Sequence, residues 1–284
     1  MPEQTATTIV TSIHAPRLKA RAWICDIWGV LHNGVAAFQP AVDACTKFRA
    51  DGGYVILVTN APRPADGVIK QLAGLGVTPK AYDRVLTSGD VTREILHSWG
   101  AQPTLHIGPE RDLTLFDDLA ITLTDATRAE RILCSGLFDD TTETAENYRE
   151  TLQMLAARSV SMLCANPDIK VDRGGRIIYC AGAVAQLYEE MGGKVAYAGK
   201  PYSPIYDAAR QMIADIAGRT IEATDILAIG DGVHTDIPGG LAHGMRTVYV
   251  ASAIYLHEPM TPPALEKLFP DRNQRPQFAM EALA

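Results

Sequence analysis

Ala22-Trp23-Ile24-Cys25-Asp26-Ile27-Trp28-Gly29-Val30-Leu31-His32-Asn33-Gly34 is the stretch on which the reading of the chain turns. Mostly apolar residues run into an aspartate, and a Gly-Val-Leu turn follows. A buried parallel strand of this kind presents its last residue at the carboxyl edge of an open α/β sheet, where such sheets place their chemistry. A core strand closed by an Asx-type turn has the same pattern. Three later stretches, at Thr59, Lys200 and Asp231, also put polar groups at strand or helix ends, and they favour the functional reading.

Downstream of this stretch, Ala41, Cys45 and Phe48 recur at helical spacing, and Asp51-Gly52-Gly53 ends that helix. Residues 54–58 form a continuous apolar run of strand length that leads into Thr59-Asn60-Ala61-Pro62. A second helix carries Val68, Leu72 and Leu75 on one face, with Gly76 past its end. Strand, helix, strand, helix at this spacing means βαβ units and a parallel sheet with right-handed crossovers. Upstream, a short leading helix is expected over 8–13. A further strand is expected over 84–87, and Ser88-Gly89-Asp90 opens the next helix.

A second alternating set follows. Its expected strands cover 104–107, 131–135, 161–165 and 177–180, and its expected helices 144–157 and 182–191. Asn166-Pro167-Asp168 and Arg173-Gly174-Gly175 break it into loops. It holds enough apolar material for its own core, so it reads as an inserted domain. The first rhythm resumes after Gly199-Lys200-Pro201, with a helix over 204–216 and a strand over 226–229 that ends in Gly230-Asp231-Gly232. Thr235-Asp236 starts a short helix, residues 247–250 make another strand, and 263–268 a helix in the tail. The expected division is a core of 1–81 with 199–284, and an inserted domain of 82–198.

Composition narrows the function classes. The 284 residues are 47% hydrophobic and 21% charged, with a net charge of −7. No basic footprint for nucleic acid exists, although a bound cation can still attract anionic substrates. No apolar run approaches the length that crosses a bilayer, so no membrane partner is expected. Residues 1–15 are Thr-rich and lack the order of a signal peptide. The five cysteines are odd in number and form no Cys-x-x-Cys pair; all but Cys45 fall in expected strands, where a reduced thiol packs as a small hydrophobe. A cytoplasmic chain without disulfides is expected.

One sheet edge carrying Asp26, Thr59, Lys200, Asp231 and Asp236 has a definite chemistry. Asp26 and Asp231 can share a hard octahedral cation such as Mg²⁺. A carboxylate beside that cation is a competent nucleophile toward a phosphoryl group. Thr59 offers a hydroxyl, and Lys200 a positive charge, to the non-bridging oxygens, with Asp236 as a counter-charge for Lys200. Each piece also has a plain structural reading. Thr59-Asn60 can cap the next helix, Gly199-Lys200-Pro201 can be an exposed turn, and two Asp near helix starts follow from the macrodipole alone.

In this order the pieces resemble a known family. Cys25-Asp26-Ile27-Trp28-Gly29-Val30-Leu31, Leu57-Val58-Thr59-Asn60, Gly199-Lys200-Pro201 and Ile229-Gly230-Asp231 through Thr235-Asp236-Ile237 are similar to the motifs of haloacid dehalogenase superfamily hydrolases. The large insertion, and Ala165-Asn166-Pro167-Asp168 within it, resemble class IIA, the branch of pyridoxal, phosphoglycolate and ribonucleotide phosphatases. The resemblance implies an α/β fold: a Rossmann-like parallel-sheet core under a large inserted α/β cap domain of the C2 type. It implies Asp26 as the nucleophile of an aspartyl-phosphate, Thr59 with Asn60 at the phosphate, and Lys200 neutralising charge. Asp231 would ligate Mg²⁺, Asp236 would support Lys200 or the metal's water shell, and Trp28 would give the metal its carbonyl. Asn166 and Asp168 fall where the class places a substrate-facing loop. A small phosphorylated metabolite is the implied partner; cap–cap dimers are common in the class, which leaves a homodimer open.

Trp28 departs from the pattern. Phosphatases of the family carry a second aspartate there, which protonates the leaving oxygen and then activates water. Indole can do neither, and loss of general acid–base help typically costs about 10²–10⁴-fold. His32 could carry the proton or meet the substrate, or could simply be bonded to the loop backbone. Three readings follow: a Mg²⁺-dependent hydrolase of small phosphate esters, either slow or tuned to substrates with good leaving groups; a metal-independent 2-haloacid dehalogenase, whose branch has an aromatic residue at this position; and a catalytically weak phospho-ligand-binding protein. Dehalogenases place their cap between the first two motifs, where this chain has one helix, and the retained Asp231 favours the metal enzyme.

Overall fold

A parallel strand covered on both faces must be apolar along its whole length. Three segments meet that demand and form the centre of the first sheet. The computed structural model describes residues 6–173, 176–251 and 255–284. In chain order the elements begin β1 (Thr8–Ile9), β2 (Ala22–Asp26), α1 (Gln39–Ala50), β3 (Tyr54–Thr59), α2 (Ala65–Gly74), β4 (Arg84–Thr87) and α3 (Ser88–Trp99). Next come β5 (Pro103–Ile107), β6 (Thr122–Leu123), β7 (Arg131–Cys134), α4 (Arg149–Ala157), β8 (Ser161–Cys164), β9 (Lys170–Arg173), β10 (Arg176–Tyr179), α5 (Ala181–Glu190) and β11 (Val195–Tyr197). The chain closes with α6 (Ser203–Ala217), β12 (Ile226–Gly230), α7 (Asp236–Ala242), β13 (Arg246–Val250), α8 (Pro262–Leu268) and β14 (Phe278–Met280).

By mutual contacts the chain divides into two compact units. The first comprises residues up to Thr59, Ile69–Leu86 and Tyr206–Ala284; the second comprises Asn60–Val68 and Thr87–Ile205. The borders expected from sequence, 81/82 and 198/199, cut the chain differently. Bonds from Asn60 to Lys200 and Asp168 draw the short segments 60–68 and 199–205 toward the second unit.

The first unit is built on the sheet β1-β14-β13-β12-β2-β3-β4. Strands β2 and β12 are buried at every residue, and β3 at all but its first. Trp23 of β2 stacks on Phe48 of α1 with ring centroids 3.9 Å apart. The expected leading helix is instead β1, which pairs in parallel with β14 from the far end of the chain. β-Branched Thr8 and Ile9 suit a strand, and a partner some 270 residues away leaves no trace in local periodicity.

The second unit is built on the parallel sheet β11-β8-β7-β5-β6 and an antiparallel hairpin of β9 with β10. Its core is its own: Ile107, Ile132, Leu152, Leu155, Met162, Val184 and Tyr188 pack together. The helix expected over 144–157 begins as a 3-10 turn, Ala145–Tyr148, because Thr144 and Asn147 close a capping box there before α4 starts. The expected loop at Arg173-Gly174-Gly175 falls partly outside the described residues. All five cysteines are buried and none is in a disulfide, and burial pushes the Cys134 thiol up to about 12. Among the described residues no helix is long and apolar enough to cross a membrane.

Candidate active site

Register sets the first unit's site. Cys25 of β2 lies opposite Ile229 of β12, so Asp26 falls level with Gly230, and Asp231 comes immediately after it. On the other side of β2, Val58 lies opposite Asp26, and Thr59 is the last residue of β3. Asp236 opens α7, where its Oδ2 accepts the Gly232 N–H at 3.1 Å and the Thr235 hydroxyl at 3.3 Å. Asp26, Asp231 and Asp236 are all buried, and one oxygen from each lies within 4.8 Å of the others. The structure thus gathers four of the sequence-predicted site residues at one sheet edge.

The surrounding backbone is cut to this cluster. A Cβ added at Gly29 would run into the Asp231 carboxylate, and one at Gly230 or Gly232 into Asp236. Gly29 also has φ near +85°, a left-handed conformation that side chains resist. Three carboxylates this close repel strongly in a buried setting unless a cation or protonation offsets them. An oxygen-only donor set of this kind fits a hard divalent cation such as Mg²⁺ and suits soft metals poorly.

Beyond Asp26 the chain folds into a tight loop. Gly29 N–H donates to His32 O at 2.8 Å, and Leu31 N–H to Ile27 O at 2.9 Å. His32 is buried, and its Nδ1 accepts the Gly34 N–H at 3.0 Å, which leaves the proton of the neutral ring on Nε2. Of the two readings of His32, the bond to the loop backbone therefore has a geometric counterpart. Trp28 meets the His32 ring edge-on at 5.2 Å, and a Cβ at Gly34 would strike the indole.

In the second unit, Asn60, Asn166, Asp168 and Lys200 come together. Asn60 Nδ2 donates to Asp168 Oδ1 at 3.0 Å and to Lys200 O at 3.2 Å, and Lys200 N–H donates to Asn60 Oδ1 at 2.8 Å. Asn166 Oδ1 accepts the Asp168 N–H at 3.1 Å, an Asx turn that shapes the loop after β8.

Sequence reading missed one polar cluster in this unit. His106 Nε2 lies 2.9 Å from Ser135 Oγ, and the Ser135 side chain also acts on the carboxyl of the buried Asp112. Desolvation holds the His106 ring down at about 4, and it raises the Asp112 carboxyl to about 6 against the pull of Ser135, Arg111 and Arg63. His106 alternates within an ordinary strand, and Asp112 and Ser135 lie far apart in sequence, so no local signal joins them.

The cluster sets an expected pH response. Asp112 binds its proton more tightly folded than unfolded, so its contribution to stability is complete below about 4 and is lost as pH rises through 6. His106 does the opposite: its contribution is complete above about 6.5 and is lost as pH falls toward 4. In wild type the two slopes largely cancel between pH 4 and 6.5. Asp112→Asn leaves His106 unopposed, so the urea midpoint should fall on acidification by the equivalent of roughly 3 kcal/mol. His106→Gln should reverse the sign. Parallel midpoint curves for the two variants would contradict the assignment.

Comparison with known proteins bears on the family. A profile described as Haloacid dehalogenase-like hydrolase matches residues 23–122, and a second, HAD-hydrolase-like, matches 197–272. A solved hydrolase of the haloacid dehalogenase-like family from Brucella suis 1330 is 46% identical, covers 84% of this chain and 92% of its own, and superposes with a TM-score of 0.81. Dihydroxyacetone phosphatase of Corynebacterium glutamicum (strain R) is 27% identical over 240 residues, 82% of each chain. Ribonucleotide monophosphatase NagD of Escherichia coli (strain K12) is 25% identical over 81% of this chain and 87% of its own. The chain belongs to the haloacid dehalogenase-like hydrolase family, in its class IIA branch. Within that family it is a phosphatase-type hydrolase.

Proposed function

We propose that this chain is a Mg²⁺-dependent hydrolase of small phosphate esters, sugar- or nucleotide-phosphate-like, that works through an aspartyl-phosphate on Asp26. The observation that carries the reading is the buried cluster of Asp26, Asp231 and Asp236 at the end of β2 and β12. An Asp26 oxygen attacks phosphorus, the bond to the ester oxygen breaks, and its electron pair leaves on that oxygen, which takes a proton from water to become the alcohol. Water then attacks the aspartyl-phosphate, which releases inorganic phosphate and restores the carboxylate.

Asp26, Asp231, the Trp28 carbonyl and Asp236, directly or through water, would hold Mg²⁺. Bound there, the ion would offset the repulsion between nucleophile and substrate. Thr59 donates its hydroxyl to a phosphoryl oxygen, Lys200 neutralises charge, and Asn60 follows Thr59 in the chain. The segment 82–198 acts as the cap, with Asn166 and Asp168 on its substrate-facing loop and His32 inside the nucleophile's own loop. With Trp28 at the acid–base position, turnover is slow or restricted to good leaving groups.

A panel of phosphate esters and 2-haloacids, each with Mg²⁺ and with EDTA, tests the assignment. Phosphate release that needs Mg²⁺ and falls about 100-fold or more in EDTA is expected. Halide release that persists in EDTA would make the chain a dehalogenase. Binding of phosphorylated ligands without any turnover would make it a sensor.

A further inference from the structure

Asn60 stands next to the proposed phosphate-binding Thr59, a place that suggests contact with substrate. Its surroundings assign it other work. The side chain is 5% exposed and the Lys200 residue 3%. Lys200 N–H can only donate, whereas Lys200 O and the Asp168 carboxylate can only accept, so the orientation of the Asn60 amide is fixed by its partners. Both N–H groups of the amide are committed: one to Asp168, one to Lys200 O. Its oxygen receives Lys200 N–H, and the amide thereby pairs with both main-chain polar groups of Lys200, as a neighbouring strand would.

The pairing is sterically enclosed. A Cβ at Gly199 would lie 2.5 Å from Asn60 Oδ1 and 2.7 Å from Pro167 Cδ, so only glycine lets the chain before Lys200 approach. Asp168 is held from behind: Gly182, near the start of α5, donates its N–H to Asp168 O at 3.1 Å, and a Cβ there would collide with Pro167 O.

We propose that Asn60 is a positioning residue: its amide seats the Lys200 main chain and ties it to Asp168 of the loop after β8, and it gives no hydrogen bond to substrate. The inference rests on the proposed role of Lys200 in phosphoryl transfer. Misplacing Lys200 weakens an interaction needed most in the transition state, so the damage belongs in kcat and not in KM.

The test combines kinetics with amide exchange. Asn60→Leu is nearly isosteric and bonds to nothing. It is expected to raise hydrogen exchange at the Lys200 amide, to lower kcat about 100-fold with KM within about twofold, and to add nothing in a Lys200→Ala background. A raised KM with kcat kept, unchanged exchange at Lys200, or additive losses would overturn the proposal. If Asn60→Leu does not fold, Asn60→Asp and Asp168→Asn replace it. The first sets a carboxylate against both the part-buried Asp168 carboxylate and Lys200 O and should lower both the melting temperature and kcat; the second, added to it, restores a donor toward position 60 but none to Lys200 O, so the melting temperature should recover in part while kcat stays low. A kcat restored to the wild-type value would overturn the proposal. If wild type hydrolyses no phosphate ester, the functional reading fails by itself, while exchange and melting still decide whether Asn60 seats Lys200.

Discussion

Asp26→Asn should abolish product release in every phase, by a factor on the order of 10⁴ or more. The amide has nearly the shape of the carboxylate but no negative charge, and it cannot form the acyl phosphate. Its effect on the fold should run the other way. Asp26 shares a buried corner with Asp231 and Asp236, and one carboxylate fewer reduces their mutual repulsion. Without divalent cation, the urea midpoint of the variant should equal or exceed that of wild type. An inactive variant that is also markedly less stable would mean that Asp26 serves the fold and not the chemistry.

Trp28→Asp should accelerate steady turnover by about 10²–10⁴-fold, since it supplies the missing proton carrier. The first transfer needs least help with a good leaving group, because the departing oxygen carries its charge unprotonated. The second step waits on unassisted water, and that is where the new carboxylate acts. Loop collapse is the obvious objection, since the indole sits against His32 and over Gly34. The loop, however, is held by main-chain bonds that do not involve the indole: Leu31 N–H to Ile27 O at 2.9 Å and Phe38 N–H to Leu31 O at 2.7 Å. If Trp28→Asp stays as slow as wild type while Mg²⁺ dependence persists, another group limits the second step. His32→Ala then separates a role for that ring from a bond that only closes the loop.

The sequence made the carboxylate corner legible for a physical reason. Strands β2, β3 and β12 are buried on both faces, so each reads as an unbroken apolar run, and Asp26, Thr59 and Asp231 mark where the runs stop. The glycines at 29, 230 and 232 belong to the same short motifs, because each backbone must clear a carboxylate. What escaped was long-range. β1 needs its partner β14, and the leading segment alone reads as helix. The short strands β6, β9 and β11 have too few residues to show a period. The His106–Ser135–Asp112 cluster is assembled from three separate elements. Asn60 was visible as a motif residue, but its commitment to Lys200 and Asp168 appears only when residues 108 and 140 positions away fold back onto it.

The central claim is that Asp26 accepts the phosphoryl group and then waits for water. Rapid mixing of wild-type protein with an aryl phosphate in Mg²⁺ tests it directly. A burst of aryl alcohol approaching one equivalent per site, followed by a slow linear phase, is the predicted result. Fast linear release from the first turnover, with no burst, would contradict it.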